Sequence, residues 1–407
     1  MPPVTPRFPL VVVGVGADGW AGLTTPTQAA LRSAEIVVGS PRQLAYLDDA
    51  GAGVTAERVR YPSPLAPLLP SVISEHAERR IALLASGDPM FYGIGSTLAR
   101  LYGADALQVH TRSSSVSLAA ARMGWPLEDV EVINLVGRPV DTLAPSALPG
   151  RRAFVLVAGP DGAEQVRALA ARLGCPDSRL TVLERLGGPD ERIAADHGPH
   201  DPLAIVAVEF VSDHTRAALP RTPGLPDEAF DHDGQLTKRE IRALVLAALA
   251  PVPGQLLWDV GAGSGSVGIE WMRTHPACRA IAVEPRDDRR TRIVSNAAAL
   301  GVPGLEVVAG AAPEALTGLP TPDAIFVGGG VSVTGVIESC VAVLGAGARL
   351  VANAVTVEAE TVLAAWHARL GGSLTRIAVQ RADPIGGFTA WRPAMPVTQW
   401  SYRKDTS

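Results

Sequence analysis

Cysteine is scarce in this 407-residue chain, and its scarcity excludes two classes of protein. Cys175, Cys278 and Cys340 lie far apart and form no Cys-x-x-Cys pair, so the sequence predicts neither a disulfide framework nor a thiolate zinc site. Long apolar runs are missing as well. None approaches the ~20 residues that a membrane helix needs, and the valine run near the N-terminus is too short for the core of a signal peptide. We therefore expect a cytoplasmic protein without a membrane partner.

Positive charge and aromatic side chains are also in short supply. The formal net charge of −5 opposes a broad electrostatic footprint on nucleic acid, so we expect a small or medium ligand and no nucleic-acid partner. Aromatic residues make up 5% of the chain, and the cores must rest on Ala, Val and Leu instead. Apolar residues make up 47%, and the length exceeds what one core usually serves, so we expect two or three domains.

The first half of the chain alternates strands and helices. LVVVGV has the pattern of a buried parallel strand that runs into a glycine loop, and IALLAS ends similarly at the Gly-Asp-Pro turn of ASGDPMFYG. Between them, TPTQAALRS reads as a helix that Thr25 starts, with Pro26 at its first position. We predict an α/β domain over residues 1–210, with one lobe over about 1–110 and a second over 111–210.

The pattern changes after Phe210. Residues 211–234 are rich in Pro, Asp and Gly and show no period, which is typical of a linker. Residues 235–407 then repeat strand, loop and helix in the order of a Rossmann-like doubly wound sheet. The first helix of this domain carries Thr237 and Glu240 at the spacing of a capping box, and helix capping and cofactor contact remain alternative roles.

The strongest local pattern is DVGAGSGSVGIE in the second domain. Asp259 ends a strand, and the glycines that open the next helix let backbone amides approach a ligand closely. Glu284 ends the following strand, where a carboxylate can accept the hydroxyls of a ribose. The pattern predicts a nucleoside ligand and leaves three classes open: an enzyme that methylates with S-adenosylmethionine, an NAD(P)-dependent dehydrogenase, and an RNA methyltransferase with an accessory domain.

Two later loops favour the methyl donor. GAAPEAL after the third strand is small enough to let backbone amides meet a purine edge, and DAIFVGGG places Asp323 and glycines beside the reactive end of the cofactor. From DGQLTKREIRALVLAAL to about Thr356, the sequence resembles class I methyltransferases, and more narrowly the decarboxylating precorrin methyltransferase domain. It lacks the Asn-Pro-Pro-aromatic motif of enzymes that methylate amino groups of nucleic acid and has only Asn353-Ala354-Val355. The resemblance implies cofactor contacts at Thr237, Asp259, Gly261, Gly263, Ser264, Gly265, Glu284, Pro285, Gly310, Ala311 and Ala312.

The Gly-Asp-Pro turn belongs to a second resemblance. SGDPMFYGIGSTL, with VVGVGADGW before it and RSSSVSLAAARMGWPLEDVEVINLVGRP after it, is similar to the class III tetrapyrrole methyltransferases over nearly the whole first 210 residues. In that family the turn lies in a cleft between two α/β lobes and holds S-adenosylmethionine largely through backbone atoms. The resemblance implies cofactor contacts at Gly14, Gly16, Gly87, Asp88, Pro89, Met90, Ser113, Ser114 and Ser115.

A class III domain followed by this class I domain is the arrangement of the fused methyltransferases of cobalamin biosynthesis, which the entire chain resembles. The resemblance implies methylation of two meso carbons, 5 and 15, of a reduced precorrin and loss of carbon dioxide from an acetate side chain. We expect one S-adenosylmethionine per domain, a tetrapyrrole substrate, a homo-oligomer and no metal. The run from His197 to Asp201 has ligand-like residues, which we interpret as a solvated turn.

The sequence assigns no general acid or base. Neither half has a Ser-His-Asp or Cys-His arrangement, and methyl transfer depends on alignment more than on a base. A tetrapyrrole carries many carboxylates, so basic residues near the loops are candidates for charge-assisted contacts with the substrate, although each could equally be a solvated surface residue. These candidates are Arg112, Arg138, Lys238, Arg239 and Arg242.

Overall fold

The computed structural model describes residues 4–195, 198–213 and 218–405. The chain divides into two compact units, and the division does not follow the sequence strictly. The first unit comprises Met1–Arg138 and Pro149–Asp213, and the second comprises Pro139–Leu148 and His214–Ser407. A ten-residue segment from the first half of the chain therefore belongs to the second unit.

The first unit begins with a parallel sheet of strand order β3-β2-β4-β1-β5. Successive side chains of β1 point to opposite faces: Val13 packs with the core around α1 and α2, and Val12 with the core around α3 and α4. Burial on both faces explains the continuous apolar runs of the central strands. The strands are β1 Leu10–Val15, β2 Ile36–Gly39, β3 Glu57–Arg60, β4 Ile81–Ser86 and β5 Leu107–His110, and the helices are α1 Thr25–Ser33, α2 Pro41–Ala45, α3 Leu65–Glu75 and α4 Ile94–Tyr102.

The second sheet of this unit is mixed and has the order β6-β7-β10-β8-β9. Its β6 and β7 are parallel, and the remaining neighbours are antiparallel. Val116 and Ala119 of α5 pack on Phe154 and Ile205 of the sheet. The elements are β6 Val130–Asn134, β7 Arg152–Leu156, β8 Arg179–Glu184, β9 Arg192–Ala195 and β10 Ala204–Glu209, with α5 Ser115–Met123 and α6 Gly162–Arg172.

The second unit is built on one sheet of strand order β13-β12-β11-β14-β15-β19-β16, in which β19 is antiparallel to both neighbours. The chain leaves β11 toward β12 on one side and reaches β14 on the other, so the carboxyl end of β11 is a topological switch point, where such sheets bind ligands. The strands are β11 Leu256–Val260, β12 Arg279–Glu284, β13 Glu306–Ala309, β14 Ala324–Val327, β15 Arg349–Ala354, β16 Ser373–Ile377 and β19 Val397–Arg403. The helices are α7 Arg239–Leu249, α8 Ser266–Thr274, α9 Asp287–Ala299, α10 Val336–Val343 and α11 Val357–Leu370.

A hairpin of β17 Gln380–Ile385 and β18 Phe388–Pro393 stands apart from this sheet. Within the described ranges, the two strands pair only with each other. Its apolar side chains are open to solvent: Phe388 next to the turn is 82% exposed, and Trp391 further along β18 is 70% exposed.

The α/β class and the doubly wound sheet predicted from the sequence are confirmed, and two helix starts are corrected. The side chain of Thr24, not Thr25, caps α1 by accepting the N–H of Thr27 at 3.4 Å. The capping-box interpretation of Thr237 and Glu240 is wrong, because α7 begins after Lys238 and has no side-chain cap. In the part of the chain that the structure describes, no helix has the length and apolar character to cross a membrane.

Candidate active sites

In the second unit, a cavity of about 660 Å³ opens where β11 and β12 end. The backbone N–H of Gly261 donates to the carbonyl of Val283 at 3.0 Å, which draws the loop against the neighbouring strand. Gly261 has φ +70°, and a Cβ there would lie 2.8 Å from the backbone of Gly329. Only glycine fits this close approach of two backbones. Gly263, at φ +61°, continues the loop along the cavity wall.

Glu284 lies at the edge of this glycine loop. Its side chain is largely buried but lines the cavity, with Oε2 accepting the N–H of Gly263 at 2.9 Å and Oε1 accepting the N–H of Arg286 at 3.1 Å. Each oxygen has capacity for a further hydrogen bond. The carboxylate is therefore both fixed by the loop and able to accept hydroxyl groups from a ligand.

Asp259 lies under the loop and is not among the residues that line the cavity. It is 1% exposed, and its Oδ2 accepts the N–H of Gly268 at 2.9 Å at the start of α8. Burial, with a smaller contribution from the charge of Glu284, raises the pKa of Asp259 to about 7. The structure therefore places Asp259 as a support of the loop.

The other predicted contacts of this unit divide into two groups. Ser264 is buried, with its carbonyl accepting the side-chain amide of Asn296 at 3.0 Å, and Gly265 at φ +77° caps α8 against Ile293. Neither residue lines the cavity. The predicted residues that do line it are Thr237, Gly261, Gly263, Glu284, Pro285, Gly310, Ala311 and Ala312.

Asp323 lies at the wrong end of its strand for the role that the sequence suggested. Its Oδ2 accepts the N–H of Leu256 at 2.8 Å, at the amino end of β11. The glycines that follow the same strand, Gly328 to Gly330, do line the cavity.

The segment that contains the hairpin also lines the cavity, which the sequence did not reveal. Val379, Arg381, Ala394 and Met395 lie in its wall, and Arg381 pairs with Glu240 of α7. No motif marks these residues. Their position depends on where the hairpin folds relative to β11, which local sequence does not specify.

The basic residues proposed for the substrate have different surroundings. Arg242 is fully buried, with its Nε 2.6 Å from Oε1 of Glu270 and its guanidinium over the ring of Phe230, so it is structural and unavailable to a substrate. Lys238 lines the cavity and lies 3.5 Å from Asp227. Arg239 is exposed and outside the cavity wall.

In the first unit, a cavity of about 560 Å³ is bordered by the Gly-Asp-Pro loop. The N–H of Gly87 donates to the carbonyl of Val15 at 2.9 Å, which joins the loops after β1 and β4. A Cβ on Gly14 would lie 2.3 Å from the carbonyl oxygen of Gly87, so these loops approach as closely as glycine permits. The predicted residues in the cavity wall are Gly16, Gly87, Asp88, Ser113, Ser114 and Ser115.

Pro89 and Met90 support the loop from outside the cavity wall. The carbonyl of Pro89 accepts the N–H of Gly95 at 2.9 Å. The N–H of Met90 donates to Oδ1 of Asp88 at 2.8 Å, a local turn that fixes the Asp88 side chain. Across the cavity, Ser114 caps α5 by accepting the N–H of Ser117 at 3.0 Å.

Neither basic residue predicted for the first unit lines this cavity. Arg112 pairs with Asp18 and donates to the carbonyl of Gly22, and its partners lie within the loop after β1. Arg138 is exposed. The sequence missed Arg42 and Asn134, which do line the cavity.

A second cavity of about 610 Å³ adjoins the first in this unit. The two share Ala17, Arg42, Pro202 and Leu203 in their walls. The adjoining cavity also contains Arg185, whose Nε lies 2.7 Å from Asp201.

The described residues contain no group of three or more His, Cys, Asp or Glu side chains that could hold a metal. His197 lies outside the described residues. His200 is buried, and its Nε2 accepts the N–H of Ala163 at 3.3 Å, so the interpretation of this run as a solvated turn is wrong at His200.

Comparisons with known proteins agree with both halves of this arrangement. Residues 9–198 match the family model described as tetrapyrrole (corrin/porphyrin) methylases, and residues 228–404 match the precorrin methyltransferase domain. Over 401 residues the chain is 47% identical to the precorrin-6Y C(5,15)-methyltransferase (decarboxylating) of a Sinorhizobium species, covering 97% of this chain and 96% of that protein. The chain belongs to the precorrin-6Y C(5,15)-methyltransferase (decarboxylating) family. The predicted class III and class I folds are thereby confirmed.

Two relatives of this family member are about half as long. The "Probable cobalt-precorrin-6B C(15)-methyltransferase (decarboxylating)" of Pyrobaculum calidifontis is 36% identical over 183 residues, which are 43% of this chain and 93% of that protein. The cobalt-precorrin-7 C(5)-methyltransferase of Salmonella typhimurium is 31% identical over 188 residues, which are 45% of this chain and 88% of that protein. The two relatives whose names state a single methylation, at carbon 15 or at carbon 5, thus each match less than half of this chain.

The second-unit residues fit S-adenosylmethionine, the methyl donor that the family resemblance implies. The backbone of Gly261 and Gly263 leaves a cradle that a Cβ would fill, and the carboxylate of Glu284 borders it. In the first unit, Gly16 and Gly87 line the cavity, and Gly14 lies outside its wall against the carbonyl of Gly87. Both cavities have a backbone-rich edge, as binding of a small polar ligand at the end of a parallel strand requires.

Proposed function

We propose that the protein methylates carbons 5 and 15 of a reduced precorrin and removes carbon dioxide from an acetate side chain, as a bifunctional enzyme of cobalamin biosynthesis. The observation that carries the proposal is the 47% identity over 97% of the chain with a precorrin-6Y C(5,15)-methyltransferase (decarboxylating). The dehydrogenase and the RNA methyltransferase, both open from the glycine loop alone, have no such support.

The two units divide the work. We assign methylation at carbon 5 to the first unit and methylation at carbon 15, with decarboxylation, to the second. This division is supported by the two shorter relatives, each named for one of these reactions, and by the separate family models matched at residues 9–198 and 228–404.

Each unit would hold its own S-adenosylmethionine. When bound, this cofactor supplies an electrophilic methyl group on a sulfonium. In the second unit, the backbone of Gly261 and Gly263 would lie against the ligand, Glu284 would accept its ribose hydroxyls, and Gly310 to Ala312 would border its base. In the first unit, the backbone around Gly87 and the serines before α5 would hold it.

The chain's contribution to methyl transfer is alignment. Fixing the cofactor and the nucleophilic carbon in line can contribute on the order of 7–11 kcal/mol without a general base. The loops are suited to this task because they are held by backbone hydrogen bonds, such as Gly87 to Val15 at 2.9 Å. For decarboxylation the conjugated macrocycle can accept the electron pair, and the protein has to orient the acetate.

Lys238 and Arg381 are the candidates for orienting the acetate in the second unit. Both line its cavity, Lys238 directly before α7 and Arg381 on β17 of the hairpin. Each is paired with a carboxylate of the protein, Asp227 for Lys238 and Glu240 for Arg381, so a substrate carboxylate would share or replace that partner.

The test is to follow both reactions in the full-length protein. We expect mass spectrometry of the product from a reduced precorrin to show the gain of two methyl groups and the loss of one carbon dioxide. Calorimetric titration should give two S-adenosylhomocysteine molecules per chain. A chain that binds NADH and transfers no methyl group would contradict the proposal, and a stoichiometry of one would contradict the assignment of a cofactor to each unit.

A further inference from the structure

Arg42 differs from the other cationic residues that line the three cavities. Arg185, Lys238, Arg289 and Arg381 each lie within 4.0 Å of a protein carboxylate. Among the described residues, Arg42 has no carboxylate within that distance, although it lines both cavities of the first unit. Within the part of the chain that the structure describes, its one hydrogen bond goes from a terminal guanidinium nitrogen to Oγ of Ser86 at 2.9 Å. A guanidinium has five N–H donors, so most of its donor capacity remains for a ligand.

The position of Arg42 is fixed by the short helix α2. The N–H of Ser40 donates to Oε1 of Gln43 at 2.8 Å, and the N–H of Gln43 donates back to Oγ of Ser40 at 3.3 Å, which forms a capping box. Nε2 of Gln43 also donates to Oγ of Ser86, at 3.1 Å. Two adjacent side chains of α2 therefore meet the residue directly before Gly87, and Arg42 has a defined position beside the Gly-Asp-Pro loop.

The adjoining cavity offers space on the far side of Arg42. Its volume is about 610 Å³, and Tyr46, Arg185 and Pro189 lie in its wall. Its two carboxylates, Asp190 and Asp201, are both held by Arg185, at 3.2 and 2.7 Å, and the charge of Arg42 acts on Asp201 only from beyond ion-pair distance. Arg42 is therefore the group in this wall that can take an incoming carboxylate without breaking a protein ion pair.

We propose that Arg42 binds a carboxylate side chain of the tetrapyrrole in the first active site, with the macrocycle extending into the adjoining cavity. This inference rests on the proposed function, since the substrate class comes from there. S-adenosylmethionine also carries a carboxylate. The substrate is favoured because Arg42 also borders the adjoining cavity, whose wall contains neither Gly87 nor the serines proposed to hold the cofactor.

The contact between Arg42 and Ser86 would also position the bound substrate. A guanidinium that bridges the substrate and Ser86 would place the substrate relative to Gly87, the next residue along the loop. Arg42 is thus a binding and positioning residue for methylation by the first unit. Lysine would retain the charge but lose the planar two-point contact.

The test compares Arg42→Gln and Arg42→Lys with Arg60→Gln, an exposed arginine of β3 outside both cavity walls, in the full-length protein. Methyl groups labelled with ¹³C distinguish transfer to the two carbons by NMR. We expect Arg42→Gln to raise the KM for the precorrin at the first site on the order of 10- to 100-fold, the range for loss of a charged hydrogen bond. Arg42→Lys should be intermediate and Arg60→Gln unchanged. The affinity of the first unit for S-adenosylhomocysteine and the rate at the second site should not change.

An unchanged KM in both Arg42 variants would overturn the inference. Loss of S-adenosylhomocysteine affinity with an unchanged precorrin KM would also overturn it and assign Arg42 to the cofactor's carboxylate. If Arg42→Gln does not fold, as judged by thermal unfolding, Arg42→Lys decides by the same criteria. Absence of first-site methyl transfer in the unmodified protein would instead contradict the proposed function.

Discussion

Asp259 lies beneath the glycine loop with one oxygen on the N–H of Gly268 and the other without a partner among the described residues. Burial raises its pKa to about 7, well above the reference value of 3.8 that applies to the unfolded chain. Between about pH 4 and 7, the Asp259 carboxyl is therefore protonated in the folded state and ionised in the unfolded chain. The contribution of this group to stability is full at low pH, falls as the pH rises to about 7, and stays constant above it.

The variant Asp259→Asn tests this role. An amide keeps the acceptor for Gly268 and remains neutral, so the stability difference in favour of the variant should grow from pH 4 to 7 and then level off. Thermal unfolding at a series of pH values measures it. Affinity for S-adenosylhomocysteine should stay close to the unmodified protein's, since Asp259 does not line the cavity. A large loss of affinity would restore the direct cofactor contact that the sequence suggested.

Glu284 should behave differently, because its carboxylate faces the cavity. Its two oxygens accept N–H groups of Gly263 and Arg286, so in Glu284→Gln one of these donors must face an amide NH₂ group. We expect affinity for S-adenosylhomocysteine in the second unit to fall on the order of 10- to 100-fold, measured by calorimetry. Binding in the first unit provides the internal control. Equal affinities in both proteins would exclude Glu284 as a ribose ligand.

At the scale of elements, the loop after β11 depends on glycine for a steric reason. Alanine at position 261 would require φ +70° and place its Cβ 2.8 Å from the backbone of Gly329, so one wall of the cavity has to move. We expect Gly261→Ala to weaken S-adenosylhomocysteine binding in the second unit about tenfold or more, with methylation at carbon 5 retained. Gly304→Ala is the matched control, since its Cβ meets nothing within 4 Å. If the two variants bind S-adenosylhomocysteine equally well, Gly261 does not form part of the cofactor site.

These junctions of strand, glycine loop and helix were predictable because their signals are local. LLWDV followed by glycines has to end a buried strand and start a helix, and IALLAS before Gly-Asp-Pro has to end one. The cavity wall supplied by Arg381 and Met395 was not predictable. Those residues reach the site through a hairpin whose position depends on long-range packing.

The burial of charged side chains was also not predictable from the sequence. Arg242 appeared as one basic residue among several on the first helix of the second domain, yet it is fully buried on Glu270 of the next helix. The pairing spans 28 residues and depends on which face of each helix meets the other. Arg42 is the converse case: it lines two cavities, but it belongs to no motif, and the sequence did not predict a role for it.

At the scale of the whole molecule, the segment Pro139–Leu148 connects the two halves of the sequence in an unexpected way. It follows β6 of the first unit in the chain but belongs to the second unit. It packs on α9: a Cβ on Gly301 would lie 2.3 Å from Pro145, and Arg221 donates to Oγ of Ser146 at 2.8 Å. A linear division of the chain near residue 225 would remove these contacts from the second unit.

The variant Leu143→Ala tests to which unit this segment contributes stability. Leu143 is 0% exposed, so its truncation should destabilise the unit that buries it by about 2–5 kcal/mol. We expect hydrogen exchange to accelerate in α9 and the strands of the second unit, while β1, β4 and β5 keep their protection. Leu127→Ala, at a partly exposed leucine of the first unit, is the control. If hydrogen exchange accelerates only in the first unit, Leu143 stabilises the first unit, and the assignment of its segment to the second unit is wrong.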